Sequence, residues 1–167
     1  GVDVNAAALA RCKEKTTFDH EGANGQVYIY KGDARNLNFI PNNSIDLICT
    51  HPPYADIIKY SENIPEDLSL RKVKDFLEEM KLVAYESHRV LKEDKFCAIL
   101  MGDTRQKGHM IPMSFDVMRI FESVGFKLKE LIIKEQHNCR ATGYWKTNSV
   151  KYNFLLIAHE YLFVFRK

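Results

Sequence analysis

The sequence predicts an α/β fold built on a mostly parallel sheet, and three observations carry that reading. Strand-like runs rich in aliphatic residues alternate along the chain with helix-period segments, the pattern of layered βαβ units. One run, KFCAILMGD, is continuously apolar, as suits a parallel strand covered on both faces. The last two runs, Phe126 to about Gln136 and Phe154 to Phe165, are long strands that can pair antiparallel at the sheet edge.

After Gly1-Val2-Asp3-Val4, Asn5 is placed to cap a helix reaching about Lys15, its side-chain oxygen accepting from the free amides of the first turn. Val27 to Tyr30 alternates as a strand and ends at KGDARNL. Ile45 to Thr50 is a second strand, bracketed by the turn formers PNNS and HPPY. Leu70 to Leu91 sets Leu70, Val73, Leu77, Met80, Ala84 and Leu91 along one helix face, with Ser69 as its cap. Pro112 opens a further helix and Gly125 closes it, the proline-first, glycine-after asymmetry. The segment NCRATGYWKTNS between the last two strands reads as a polar loop. With no internal repeat, low-complexity tract or linker, residues 1–167 read as one domain.

Composition narrows the class. A chain of 167 residues with 46% hydrophobic and 28% charged residues can bury a sizeable core. No apolar run reaches the length of a membrane span, and the amino end does not resemble a signal peptide. Cys12, Cys49, Cys97 and Cys139 are scattered, form no C-x-x-C pair, and two lie in apolar runs where free thiols pack, so a reducing cytoplasm is the expected setting. The histidines and cysteines show no ligand spacing, and no metal site is expected. A net charge of +2 does not by itself announce a nucleic-acid partner. Its distribution is more telling: Lys127 to Lys167 holds eight Lys/Arg against three Glu, whereas Glu62 to Asp94 holds nine Asp/Glu against six Lys/Arg. A polyanion would dock on the last quarter; a solvated strand face is the alternative.

The chemistry is concentrated in THPPY, at the carboxyl end of the Ile45 strand, where ligands of open α/β sheets bind. Two prolines fix φ and lack amide hydrogens, so the turn is stiff and its carbonyls need outside partners. Rigid acceptors aimed into a cleft suit a substrate that offers an amino group, and Tyr54 offers a flat face to a planar base. The alternative is a proline-rich turn that ends a buried strand, with the tyrosine as its lid.

His51-Pro52-Pro53-Tyr54 resembles the D/N/S-P-P-Y/F motif of the AdoMet-dependent amino-methyltransferases that modify adenine N6 or cytosine N4 in DNA. GVDVN is similar to the end of that family's second strand, where Asp3, followed by Val4, would hold the ribose hydroxyls of AdoMet. GDARNL resembles the next loop, where Asp33 would accept from the adenine amino group and the Ala34 amide would face the ring. RVLKEDKFCAILMGD is similar to a helix-to-strand segment that usually reads RVLKPGG, with Glu93-Asp94 in place of the glycine turn. AHEYLFVFRK resembles the last strand. The resemblance implies a class I methyltransferase (Rossmann-like) fold, AdoMet as cofactor and DNA as partner, with the target base flipped out of the duplex. It assigns base stacking to Tyr54 and a carbonyl acceptor to Pro52, beside Pro53. Hydrogen bonds accepted from the exocyclic amine favour a tetrahedral nitrogen whose lone pair points to the methyl group. Methylation of RNA or of a protein amide is the alternative activity, and a non-catalytic binding module the alternative class.

His51 departs from the motif. A neutral imidazole accepts one hydrogen bond and a protonated one none, so this role requires activity that falls as the ring gains a proton; the other reading turns the ring away and leaves Pro52 to accept. Arg140, Tyr144, Trp145, Lys146 and Lys151 mix cations for phosphates with rings for bases, and read either as a DNA contact or as a plain surface hairpin. Asp103, Thr104 and Arg105, at another strand end, read either as lining the substrate side or as a solvated loop.

Folds of this type place a Gly-rich turn roughly 20 residues before the ribose-binding acid, whereas Asp3 has two residues before it and G-x-G occurs nowhere. The first strand, which lies in mid-sheet, is therefore expected to be missing. A truncated piece of a longer methylase, a partner segment or homodimer that supplies the strand, and a non-catalytic relative all remain open; weak AdoMet binding by this chain alone follows from each.

Overall fold

Asn5 starts the first helix as its side chain suggests: its Oδ1 accepts from the amides of Ala7 and Ala8, and the chain runs helical over Ala6–Lys15 (α1). The structure, a computed structural model, describes residues 1–16, 25–136 and 142–167. Around α1, Val2–Asp3 (β1) pairs in parallel with Tyr30–Lys31 (β2). Ile45–Thr50 (β3) leads through a 3-10 turn at Ala55–Ile57 and another at Leu68–Leu70 into Val73–Val90 (α2). Leu91–Met101 (β4) follows at once, then a hairpin of Thr104–Gln106 (β5) and His109–Ile111 (β6). Met113–Val124 (α3), Lys127–Glu135 (β7), Thr142–Lys151 (α4) and His159–Arg166 (β8) complete the order.

The main sheet runs β3-β4-β8-β7. Parallel pairing of β3 with β4 sets Cys49 beside Ala98 and Thr50 beside Ile99, while β8 inserts antiparallel between β4 and β7. The sheet is thus mixed, with its antiparallel part at the C-terminal edge as expected. The β1-β2 pair stands as a separate ladder; among the described residues no strand joins β1 to β3. Two arginines tie this pair and its following loop to α2. Arg35 donates to Glu79 at 2.7 Å, and Arg89 donates to the carbonyls of Leu37 and Ile40 at 2.8 and 2.9 Å while pairing with Glu86.

The core lies on one face of the main sheet. Phe76, Met80 and Ala84 of α2 and Met113, Val117 and Phe121 of α3 pack on Cys97, Ile99, Met101, Phe163 and Phe165, all fully buried. The alternate residues Phe96, Ala98 and Leu100 on the opposite face keep partial exposure, and Leu47 and Ile132 are exposed. The expectation that KFCAILMGD is covered on both faces is therefore corrected: helices cover it on one. Burial pushes the Cys97 thiol up to about 12, whereas Cys49 is exposed, not packed. Among the described residues no helix is long and apolar enough to cross a membrane.

Several boundaries differ from expectation for local reasons. Ser69 does not cap α2; it is buried in the 3-10 turn that Asp67 caps, and its hydroxyl accepts from the Tyr60 amide at 2.9 Å. The Glu93-Asp94 pair replaces a glycine turn because Asp94 itself takes the left-handed conformation at φ 62, which a short polar side chain tolerates. Residues 154–158 precede β8 instead of belonging to it. Gly125 ends α3 at φ 119 with its amide on the carbonyls of Phe121 and Glu122, and a Cβ there would lie 3.1 Å from His88 Nε2. Gly125→Ala is expected to lower stability by about 1–2 kcal/mol through its left-handed backbone, read as a lower urea midpoint.

Candidate functional site

The carboxyl ends of β1, β2 and β3 open onto one cleft of about 520 Å³. Asp3, Val4, Asp33 and Ala34 line it together with His51, Pro52 and Pro53. Three stretches, 3–4, 33–34 and 51–53, thus converge at the carboxyl ends of their strands, where ligands of open α/β sheets bind.

On the β1-β2 side, Asp3 is exposed and its Oδ1 accepts from the Asn5 amide at 2.7 Å, so the carboxylate is oriented by the start of α1. Asp33 is gripped by Arg35, whose Nε and Nη2 reach its carboxylate at 3.0 and 2.5 Å and whose amide adds a bond at 2.9 Å. Burial would raise the Asp33 pKa, but these bonds and the guanidinium charge outweigh it and hold the group below its ordinary value. Four hydrogen bonds from Arg35 reach this carboxylate, two on each oxygen, so its roughly four acceptor sites are engaged, and a further donor beside the exposed Ala34 would have to share one of them.

On the β3 side the proline turn presents His51, about half exposed, with Pro52 and Pro53 partly buried behind it. Among the described residues no backbone amide bonds to the Pro52 carbonyl. Tyr54, expected in the same site, is not among the residues that line the cleft. Its ring lies against Gly102, where a Cβ would meet Cε2 at 2.7 Å, and its hydroxyl lies 2.7 Å from His51 Nε2 and 2.5 Å from Glu160 Oε1. The next residue, Ala55, is fully buried at φ 50, a conformation that costs an alanine roughly 1–2 kcal/mol. Such strain concentrates where a turn must aim its side chains.

Glu160 is the member of this site that sequence reasoning missed. It is 4% exposed, faces Lys134 across the β7-β8 ladder, and accepts from that ammonium at 2.5 Å as well as from Tyr54. Burial would raise its pKa, yet Lys134 and Tyr54 hold it below the ordinary carboxylate range. The Tyr54 hydroxyl is pushed up, first by burial and then by Glu160. The available signal was that Glu160 is the only carboxylate in the apolar run of β8, and a lone buried acid requires a partner.

Asp33 and Glu160 bind protons less tightly folded than unfolded, so the unfolded chain takes up protons first as pH drops. Their stabilisation is complete above the ordinary values of 3.8 and 4.5 and is lost as pH falls through the lower folded values. The urea midpoint is therefore expected to decline as the solution is acidified below these values, and less steeply in Glu160→Gln.

The other sequence candidates lie elsewhere. Tyr144, Trp145, Lys146 and Lys151 sit on α4, not on a loop, and all are exposed. The helix was not foreseen because its apolar residues follow no single stripe. Tyr144 and Trp145 meet edge to face at 5.3 Å; Arg140 lies outside the described residues. Asp103 is buried and binds the amide and hydroxyl of Ser114 at 2.9 and 2.5 Å, while Arg105 covers Phe154 at 4.8 Å and donates to the Leu155 carbonyl. Neither they nor Thr104 line the cleft.

Comparison with known proteins points one way. The family model described as DNA methylase matches residues 45–167. The type II methyltransferase M.MjaVI of Methanocaldococcus jannaschii is 30% identical over 145 residues, covering 84% of this chain and 71% of the relative. Type II methyltransferase M.BglII, from Bacillus subtilis, is 30% identical over 140 residues, covering 77% of this chain. The chain spans 37% of the length of that protein. A Thermus thermophilus protein named as a DNA modification methylase, solved with S-adenosyl-L-methionine, superposes with a TM-score of 0.59 at 26% identity, covering 81% of this chain and 53% of its own.

Proposed function

The chain belongs to the DNA methylase family, and from that premise we propose that it carries the catalytic region of an AdoMet-dependent methylase acting on an exocyclic amine of a base in DNA, adenine N6 or cytosine N4. The observation that supports this most is the single cleft shared by Asp3, Asp33 and the His51-Pro52-Pro53 turn.

The residues present fit the cofactor. Asp3 offers an exposed carboxylate to the ribose hydroxyls, and Asp33, which lines the same cleft beside Ala34, is assigned to the adenine amino group by sharing an oxygen now bonded to Arg35. Bound there, AdoMet would supply an electrophilic methyl on its sulfonium. The chain supplies the activation of the amine. Its lone pair is delocalised into the base, and two hydrogen bonds, to the Pro52 carbonyl and to His51, favour a tetrahedral nitrogen. The stiff turn holds both acceptors in place, so the contribution is one of orientation and needs no covalent intermediate. The partly exposed Tyr54 ring is assigned to stacking of the flipped base. Tyr144, Trp145, Lys146 and Lys151 on α4 are assigned to nucleic-acid contact, with Arg140. A cytoplasmic setting accords with this substrate.

Among the described residues no strand joins β1 to β3, and we assign that place to a further parallel strand, supplied by a longer form of this polypeptide, by a partner segment or by a second copy of the chain. The reading is tested by offering labelled AdoMet with DNA, RNA and protein to the native gene product. Label in DNA is expected; label only in RNA or protein selects those activities, and label in none selects a non-catalytic binding module.

A further inference from the structure

We propose that Glu160 is a positioning residue which, through Tyr54, fixes the tautomer of His51 and thereby selects which ring nitrogen meets the substrate. An ionised carboxylate can only accept, and a tyrosine hydroxyl carries one proton. At 2.5 Å from Glu160 Oε1, the Tyr54 hydroxyl must spend that proton on the carboxylate. Its oxygen then faces His51 Nε2 at 2.7 Å with lone pairs alone, so Nε2 is the nitrogen that bears hydrogen. In the neutral ring the acceptor is consequently Nδ1. Lys134, 2.5 Å from the second Glu160 oxygen, keeps the carboxylate from reversing the chain by taking a proton itself. Glu160 is 4% exposed, which excludes water as a competing partner, and Gly102 leaves the ring the space to reach it.

The assignment explains how histidine serves where the motif carries a short polar side chain. Free imidazole exchanges its proton between two nitrogens, whereas a ring held by the Glu160-Tyr54 pair presents one acceptor. The acceptor role rests on the function proposed above; the tautomer does not.

Nitrogen-15 correlation spectra of the imidazoles, with His51 assigned by its loss in His51→Gln, read this directly in the intact chain. The wild-type ring is expected as the Nε2–H form, in about fivefold to tenfold greater excess than in Tyr54→Phe, the worth of one hydrogen bond. Glu160→Gln is expected to go further. With its amide oxygen held by Lys134, its NH₂ donates to Tyr54, whose hydroxyl then donates to Nε2 and inverts the ring to Nδ1–H. A wild-type ring protonated on Nδ1, or populations unmoved by both substitutions, would overturn the assignment. Because the spectra need neither cofactor nor DNA, absence of methyl transfer alongside the expected tautomers counts against the proposed function alone.

Discussion

His51→Leu is expected to lower kcat for methyl transfer by roughly a hundredfold, the order contributed by a positioned acceptor, while AdoMet affinity stays as it was. Leucine fills a comparable volume on the cleft wall but has no lone pair, so the amine loses one of its two acceptors and keeps the Pro52 carbonyl. His51→Asn restores an oxygen near the same place and should recover part of the loss. Single-turnover rates and cofactor titration of the native gene product separate the two effects. Weakened AdoMet binding with an unchanged transfer step would remove His51 from the chemistry and make it part of the cofactor wall.

Arg35→Ala is expected to cost about 2–3 kcal/mol of stability, less than a fully buried pair because Asp33 and Glu79 each keep some exposure to water. The guanidinium grips Asp33 at two nitrogens and Glu79 at a third, and reaches the Glu66 carbonyl at 3.3 Å. Its loss leaves two carboxylates without their cation and frees the loop after β2 from α2. Arg35→Lys should recover little, since a point charge cannot reproduce the fork. The urea midpoint measures the first consequence and AdoMet affinity the second. A wild-type midpoint would show that Arg89, which ties the same loop through Leu37 and Ile40, is sufficient alone.

What the sequence disclosed was what local chemistry dictates. Asn5 capped its helix, Pro112 and Gly125 bounded α3, and Ile45–Thr50 kept its ends, because caps and turn formers act on the residues next to them. The hairpin β5-β6 escaped notice: its turn is the pair Lys107-Gly108, both at positive φ, inside a stretch too short to show alternation. Helix α4 shows no apolar stripe, so nothing in its periodicity separated it from a loop. The opposite sheet face was misjudged because an apolar run states what could be buried, not which partner is present to bury it.

The site divides in the same way. Asp3, Asp33 and the proline turn follow from motif and strand ends, and the cleft brings them together. The Arg35 grip on Glu79 and the Tyr54 bond to Glu160, 106 residues away, depend on tertiary register that no local pattern encodes.

The claim that the rigid turn at His51-Pro52-Pro53 activates an exocyclic amine is tested most directly by digesting methylated DNA to nucleosides and separating the methylated product by chromatography against the isomeric N-methyl and C-methyl standards. The expected nucleoside is N6-methyldeoxyadenosine or N4-methyldeoxycytidine, lost together with the rate in His51→Leu. Methyl on a ring carbon of the base would contradict it, since carbon methylation has no use for acceptors aimed at an amino group.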